Sequence, residues 1–99
     1  MGAPDEIMRK AVMPTYGRAP VSFVRGAGSW LYTAEGDAYL DFASGIAVNI
    51  FGHSHPRLVE ALTSQAGQLW HTSNLYQIPQ QEKLAYRLAQ HAKLDHTFF

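Results

Sequence analysis

The stretch VSFVRGAGSWLYTAEGDAYLDF, residues 21–42, decides the predicted fold. β-Branched and aromatic residues alternate there with smaller or polar ones in three short runs, which is the pattern of half-buried strands. The runs are Val21, Phe23 and Arg25; Trp30 and Tyr32; and Ala38, Leu40 and Phe42. Residues 26–29 and 34–37 separate the runs and supply glycine where a hairpin turn requires a positive φ. The sequence therefore predicts a three-stranded antiparallel meander.

The residues before this stretch predict a short helix and an irregular arm. Pro4 suits the start of a helix, and apolar residues follow at roughly helical spacing, so we expect a helix over residues 4–12. Two prolines and a glycine then interrupt any regular pattern up to residue 20. Tyr16 lies in this arm, where its ring either contacts a ligand or packs the arm against the fold.

Two helices are predicted after the sheet. Pro56 and Pro79 each suit the first turn of a helix, and apolar residues recur at helical spacing after both. The first apolar face comprises Leu58, Val59, Leu62, Ala66, Leu69 and Trp70, and the second comprises Leu84, Ala85, Leu88 and Ala92. Residues 94–99 are apolar and β-prone, and predict the start of a strand, an edge that small domains seldom leave exposed. We therefore expect an incomplete fold.

Composition and charge limit the classes of function. Hydrophobic residues make up 46% of the 99 residues and aromatic residues 12%, which argues against disorder. The length fits one small domain or part of a larger one. Eight basic residues balance eight acidic ones without forming a block, so nucleic acid and acidic membranes are poor candidate partners. The lack of cysteine and of a long apolar run favours a cytoplasmic protein that spans no membrane.

Two patterns that resemble ligand sites have simpler explanations. His53 and His55 stand at alternate positions, but two histidines do not complete a zinc site and no carboxylate pair stands at ligand spacing. Gly26 and Gly28 lack the third glycine and the following helix of a dinucleotide-binding loop. The sequence predicts no metal site, and a hairpin at the glycines.

No catalytic residue is predicted. Ser44 lacks the strand-turn-helix elbow of a nucleophile, and Ser73 has no base at a spacing that can be judged. Covalent catalysis by an amine needs a lysine in a desolvated pocket. Lys10, Lys83 and Lys93 lie near the terminus or on and beside the polar face of a helix.

Five phrases, in this order and spacing, resemble the opening of the class III aminotransferases, and within that class the acetylornithine type. They are PTY at 14–16, VRGAGS at 24–29, LDFASGIAV at 40–48, FGHSHP at 51–56 and LWHTSN at 69–74. The resemblance implies an α/β fold, the N-terminal segment of a fold-type-I enzyme that uses pyridoxal 5'-phosphate, incomplete without its large domain. Residues 1–20 would form an arm, 21–55 the meander and a pocket loop, and 56–99 helices leading into the large domain.

The same resemblance implies a function for the parent protein. It would move an amino group from N-acetylornithine, or from N-succinyl-diaminopimelate, to 2-oxoglutarate in arginine biosynthesis, as a homodimer. The main cofactor-binding residues would lie outside these 99 residues, which alone would be inactive. The alternatives are another ω-aminotransferase, acting on ornithine or 4-aminobutyrate, and a non-enzymatic stand-alone binding module.

Four substrate-binding residues follow from the resemblance. Tyr16 falls where the family places an aromatic ring near the substrate, and Gly45 and Ile46 fall in the loop on the substrate side of the cofactor. Ornithine-specific relatives tend to carry a tyrosine near Ile46, so an apolar residue there favours an acylated substrate. Asn74 belongs to a connector that, in such dimers, often lies near the partner subunit's site.

Overall fold

The computed structural model describes the backbone of residues 4–99 and the side chains of residues 5–99. It divides into two units, the first ending at Val59 and the second comprising Glu60–Phe99. The elements in chain order are α1 (Pro4–Lys10), β1 (Arg25–Ala27), β2 (Trp30–Tyr32), β3 (Ala38–Leu40), α2 (Ser44–Ala47), α3 (Pro56–Ala66) and α4 (Pro79–Ala92). None of the helices in residues 4–99 has the length and apolar character needed to cross a bilayer.

The first helix, α1, ends two residues earlier than predicted. Asp5 and Glu6 lie in its first turn and Arg9 and Lys10 in its last, so the charges complement the helix dipole. The Lys10 ammonium also lies 3.3 Å from the Glu6 carboxylate. Beyond Lys10 the amide of Val12 donates to the carbonyl of Arg9, three residues back, at 3.2 Å. The chain therefore leaves α1 through a tighter turn.

The three strands form one antiparallel sheet in the order β1-β2-β3, as predicted. In the central strand, Leu31 lies opposite Gly26 on one side and opposite Tyr39 on the other. A side-chain contact follows the same register. Arg25 lies opposite Tyr32, and its guanidinium carbon is 3.8 Å from the centre of the Tyr32 ring, a cation–π contact.

The position of β1 differs from the prediction, which placed the strand at Val21, Phe23 and Arg25. The paired residues are Arg25–Ala27, and Ala27 lies opposite Trp30. The reason is the length of the turn. Only two residues, Gly28 at φ 57° and the serine after it, lie between the paired strands, so the first two residues of the predicted loop join the ladder instead.

The helix α3 begins at Pro56 as predicted but ends at Ala66, short of Trp70. Gly67 follows, and glycine is a poor helix former. The unpaired carbonyls beyond the helix end are met by side chains: Gln65 Nε2 donates to the Leu69 carbonyl at 2.8 Å and Trp70 Nε1 to the Ala66 carbonyl at 2.7 Å. The apolar face that was predicted as one helix is therefore divided between α3 and the turn after it.

The last helix, α4, begins at Pro79 as predicted and ends in a left-handed residue, Lys93, at φ 55° and ψ 42°. The amide of Leu94 donates to the carbonyl of Ala89 at 3.1 Å, five residues back, which completes a Schellman motif. The strand predicted at residues 94–99 is wrong, because these residues have no regular secondary structure. A strand requires a hydrogen-bonded neighbour, and the described part of the chain pairs none with them.

Little apolar surface is buried. Among the side chains of residues 5–99 no hydrophobic one is buried, and the single buried residue is Thr33, which is 8% exposed. Thr33 closes the turn between β2 and β3: its amide donates to the Asp37 carbonyl at 3.0 Å, and its hydroxyl accepts from the Asp37 amide at 3.1 Å. The described residues therefore contain no hydrophobic core of their own.

Candidate functional site

The chain after β3 forms a left-handed turn. Over α2, Ser44–Ala47, the four φ values are 52°, 65°, 63° and 61°. The amide of Ala47 donates to the carbonyl of Ala43 at 3.0 Å, and the amide of Val48 to the carbonyl of Ser44 at 2.8 Å. These bonds span four residues, so α2 is one turn of a left-handed helix. The pocket loop expected here from the family resemblance therefore has a left-handed conformation that was not predicted.

This turn is energetically unfavourable. Only one of its four residues is glycine, and an L residue in a left-handed helix costs roughly 1–2 kcal/mol because its Cβ crowds the following carbonyl oxygen. Ile46 is the least suited, since a β-branched side chain rarely adopts a positive φ. Strain of this kind persists only where surrounding contacts outweigh it, and it concentrates at functional sites. The turn is therefore the candidate functional site.

Asp41 holds the entry to the turn. One carboxylate oxygen, Oδ1, accepts the amide of Ala43 at 2.9 Å and the amide of Ser44 at 3.0 Å. The other, Oδ2, lies 2.6 Å from Nε2 of His53, and the Asp41 side chain is 9% exposed. The hydrogen bond from His53, followed by those from the two amides, lowers the pKa of Asp41 below its ordinary value. The carboxylate is therefore ionised at neutral pH and only accepts hydrogen bonds, so His53 Nε2 donates.

His53 is fixed against the sheet by its own backbone. Its amide donates to the Gly28 carbonyl at 2.8 Å and its carbonyl accepts the Gly28 amide at 3.0 Å, an antiparallel bridge to the turn between β1 and β2. Glycine is required on both sides of this contact. A Cβ at Gly26 would lie 2.7 Å from the His53 Cβ, and a Cβ at Gly52, where φ is 81°, would lie 2.9 Å from the Gly28 carbonyl oxygen. The sheet, Asp41 and the left-handed turn thus form one connected structure.

The same residues line a small polar cleft of about 100 Å³. Its lining consists of Gly28, Ser29, Asp41, Ser44, Asn49, Ile50, Gly52 and His53. The imidazole and the carboxylate that bond to each other both face this cleft, and both belong to the first unit.

Two of the predicted substrate-binding residues, Gly45 and Ile46, lie together in the left-handed turn. The Ile46 side chain is 91% exposed, so nothing in the described residues covers it. Gly45 has φ 65°, and a Cβ there would lie 3.3 Å from Nδ2 of Asn49. Glycine suits this φ, although Ser44, Ile46 and Ala47 adopt similar values with a side chain present.

Tyr16 lies in the irregular arm of the first unit and is 75% exposed. The guanidinium carbon of Arg18 lies 5.4 Å from the centre of its ring. Within the described residues no hydrogen bond or aromatic contact joins Tyr16 to the left-handed turn. The ring is therefore largely exposed, and both roles predicted for it stay predictions.

Asn74 belongs to the second unit, where it helps to line an open cleft of about 310 Å³. Tyr76, Thr97, Phe98 and Phe99 are among the other lining residues. Thr97 fixes one wall, because its hydroxyl donates to the carbonyl of Ala85 in α4 at 3.1 Å.

The residues that were predicted to have no catalytic or metal-binding role have other surroundings. Lys10, Lys83 and Lys93 are all exposed. His55 Nδ1 accepts the amide of Arg57 at 3.2 Å, at the start of α3. In residues 4–99 no three or more of His, Cys, Asp and Glu come together as metal ligands.

Sequence reasoning missed Asp41 and the role of His53. One signal was present: an aspartate that ends a strand and is followed by small residues often accepts the amide two residues later. The partner of its second oxygen is twelve residues away, at His53, and no periodicity indicates that pairing.

Comparison with known proteins gives the same family throughout. The model of the family described as aminotransferase class-III matches residues 11–99. The acetylornithine aminotransferase of Rhodobacter capsulatus is 59% identical over 92 residues, which is 93% of this chain and 23% of that protein. The chain thus spans about a quarter of the length of the curated relatives it matches.

Solved structures agree. The crystal structure of acetylornithine aminotransferase from Elizabethkingia anophelis superposes with a TM-score of 0.86 and 32% identity over 93% of this chain and 24% of that one. Ornithine delta-aminotransferase of Plasmodium falciparum superposes with a TM-score of 0.84 and 26% identity over 93% of this chain and 25% of that one. The match of the family model over residues 11–99 and the superposition agree, and the chain belongs to the class-III aminotransferase family.

Proposed function

We propose that this chain is the N-terminal segment of an aminotransferase that moves an amino group from N-acetylornithine to 2-oxoglutarate in arginine biosynthesis. N-Succinyl-diaminopimelate is proposed as a second amino donor. The observation that carries the proposal is the identity to curated acetylornithine aminotransferases, which is 51–59% over most of this chain. Among solved structures, two acetylornithine aminotransferases share 32% and 41% identity with it, and the ornithine aminotransferase of Plasmodium falciparum shares 26%.

The left-handed turn supports an acylated donor. Ile46 projects an apolar side chain that is 91% exposed from a backbone held in an unfavourable conformation. An apolar side chain gains free energy by covering the acyl carbons of a substrate, about 25 cal/mol for each Å² removed from water. It offers nothing to the charged amine at the same end of free ornithine, which would lose hydration there. Ile46 therefore favours N-acetylornithine over ornithine.

The other predicted residues complete the proposed pocket. Tyr16 would supply an aromatic ring to the substrate, and Gly45 would keep the turn in place beside it. Asn74 would approach the site of the partner subunit in a homodimer. The layout proposed for the parent is an arm at residues 1–20, the meander and pocket loop at 21–55, and helices at 56–99, in a cytoplasmic protein.

The residues described fit the substrate side of such a site and not the attachment of pyridoxal 5'-phosphate. This cofactor, which the class implies, supplies the aldehyde that carries the amino group between donor and acceptor. An attachment lysine must be desolvated to react as a free amine, and Lys10, Lys83 and Lys93 are all exposed. No step of the reaction is assigned to them, and residues 1–99 alone are expected to form no covalent complex with the cofactor.

The test uses the protein expressed from its complete gene. Values of kcat/KM are measured with 2-oxoglutarate and four amino donors: N-acetylornithine, N-succinyl-diaminopimelate, ornithine and 4-aminobutyrate. We expect the two acylated donors to exceed the two free ω-amines by at least about tenfold, the usual gain from one well-filled apolar subsite. A preference for ornithine or 4-aminobutyrate would replace the proposed substrate, and no transfer with any donor would support the binding-module alternative.

The homodimer is tested separately by sedimentation equilibrium of the same protein. We expect a species of twice the chain mass that persists on dilution to nanomolar concentration. The Asn74→Ala variant is then expected to keep the dimer but lose kcat/KM, since the proposed role of Asn74 is at the site and not in assembly. A monomer with full activity would contradict both statements.

A further inference from the structure

The left-handed turn needs an anchor that its own side chains do not supply. Its residues are exposed or half-buried, and Ile46 is 91% exposed. Packing within residues 5–99 therefore does not hold the unfavourable backbone in place. Apart from the backbone hydrogen bonds of the turn itself, what remains is three hydrogen bonds at its entry, which end on the carboxylate of Asp41 and form its anchor.

The anchor has two arms on one carboxylate. Oδ1 of Asp41 receives the amides of Ala43 and Ser44, which lead into the turn, at 2.9 and 3.0 Å. Oδ2 receives Nε2 of His53 at 2.6 Å. Hydrogen bonds to an ionised acceptor are shorter and roughly twice as strong as those between neutral groups. The bonds to the two oxygens therefore fix the carboxylate in one orientation between the turn and His53.

The far end of the anchor is rigid. His53 is bonded through its backbone to Gly28 in both directions, and the imidazole side chain is 17% exposed. His53 also packs directly against Gly26, where a Cβ would lie 2.7 Å from the His53 Cβ. The position of the β1–β2 turn is thus transmitted to the left-handed turn through His53 and Asp41.

We propose that Asp41 and His53 are positioning residues of the amino-transfer reaction, which set the place of Ile46 and so the preference for an acylated amino donor. The inference rests on the proposed function. Neither residue touches the substrate in this scheme. They fix the backbone on which the substrate-contacting side chain stands, and a misplacement of about 1 Å at such a residue can cost 100-fold in rate.

The test compares single substitutions in the complete, cofactor-loaded protein. Asp41→Asn keeps an oxygen for the two amides but presents an NH₂ donor to the His53 N–H. His53→Leu removes the imidazole and leaves no donor for Oδ2, whereas a glutamine amide could still donate to it. The matched controls are Asp37→Asn, because Asp37 bonds only through its backbone in residues 4–99, and His55→Leu, because His55 bonds instead to the Arg57 amide.

The measured quantity is the ratio of kcat/KM for N-acetylornithine to that for ornithine. Asp41→Asn and His53→Leu are each expected to lower this ratio about tenfold, whereas both controls keep the wild-type value. In the double variant Asp41→Asn/His53→Leu, the bond that the two residues share is already lost. We expect its ratio to lie within about threefold of that of Asp41→Asn alone, a coupling that two independent structural defects would not show.

Two results would overturn the proposal: a wild-type ratio in either folded single variant, or a double variant as impaired as the sum of the singles. If Asp41→Asn does not fold, the comparison of His53→Leu with His55→Leu still decides. Failure of the proposed function is recognised separately, because it shows in the wild-type protein. In that case the ratio of kcat/KM is measured between the two amino donors that the wild-type protein uses best. The same variants then still test whether the anchor determines which donor is preferred.

Discussion

At Ile46 the backbone is unfavourable, and within residues 5–99 the side chain gains no burial that would offset it. The residue has φ 63°, which a β-branched side chain rarely adopts, and it is 91% exposed. Glycine would fit the backbone at less cost. The presence of isoleucine is understandable if the side chain contacts a ligand, so stability and activity should respond to its removal in opposite directions.

Ile46→Gly is therefore expected to stabilise the complete protein by about 1 kcal/mol, the left-handed penalty less the added chain entropy of glycine. The same change should lower kcat/KM for N-acetylornithine about tenfold through loss of the apolar contact. Urea unfolding and steady-state kinetics measure the two effects. Ile50→Gly is the control for the sign of the stability effect, because Ile50 does not have a positive φ. It should destabilise by about 0.5–1 kcal/mol, and a loss of stability in both variants would refute the argument.

The carboxylate of Asp41 gives a pH dependence with a defined sign. Its pKa is lowered in the folded protein by the His53 hydrogen bond and by the Ser44 and Ala43 amides, so the folded state favours the ionised form. The resulting stabilisation is complete above the ordinary aspartate pKa of about 3.9, and it is lost as pH falls through the lower folded-state value.

The measurement is the difference in unfolding free energy between the wild-type protein and Asp41→Asn. We expect this difference to shrink as the pH falls below about 4. Subtracting the variant cancels the titrating groups that do not contact residue 41. A difference that grows on acidification would mean that the carboxylate is not stabilised in its ionised form.

At the scale of single residues, the sequence predicts less of the structure than it does at the scale of elements or of the whole molecule. Gly45 and Ile46 were expected in one loop from the family resemblance, and they do lie together. The left-handed conformation was not expected, because three of its residues are ordinary L residues that would avoid it without an anchor. That anchor depends on His53 meeting Asp41 across twelve residues, a tertiary contact with no local signal.

At the scale of elements, hydrogen-bonded ends decide where the predicted segments stop. Pro56 and Pro79 mark the helix starts correctly, because proline at a first turn removes an amide that has no partner there. The ends were harder to predict. α3 stops at Ala66 although its apolar spacing continues to Trp70, and β1 moves towards its turn because two residues suffice to reverse the chain. The spacing of apolar residues indicates which face of an element is apolar. It does not indicate which backbone hydrogen bonds form at the ends of that element.

The end of α4 offers a direct test of its cap. Lys93 occupies the left-handed position of a Schellman motif, where glycine is preferred. Lys93→Gly is expected to raise stability by about 0.5–1 kcal/mol. Lys83→Gly makes the same substitution in the interior of the same helix and should lower stability by about 1 kcal/mol. Differential scanning calorimetry of the complete protein measures both, and shifts of the same sign would show that the cap conformation is wrong.

At the scale of the molecule, the chain exposes far more surface than a self-contained protein of its size. Its accessible area is 9479 Å² for a mass of 11.0 kDa. A folded monomer of that mass exposes about 5,600 Å², and two separate globules of half that mass about 6,800 Å². The excess of roughly 3,000–4,000 Å² is of the size that obligate interfaces and domain cores bury. It consists largely of apolar side chains such as Leu62, Trp70 and Phe98.

Residues 1–99 expressed alone should therefore lack a cooperative fold. Without a buried hydrophobic side chain in residues 5–99, the gain from burial is too small to offset the entropy of ordering the chain. We expect a broad thermal transition, binding of a fluorescent dye that reports exposed apolar surface, and association that increases with concentration. Calorimetry, dye titration and sedimentation velocity measure the three properties, with the complete protein as control. A monomeric segment with a sharp transition and no dye binding would contradict this prediction. It would show that hydrogen bonds alone stabilise the fold, and that its exposed apolar side chains need not be buried against any other surface.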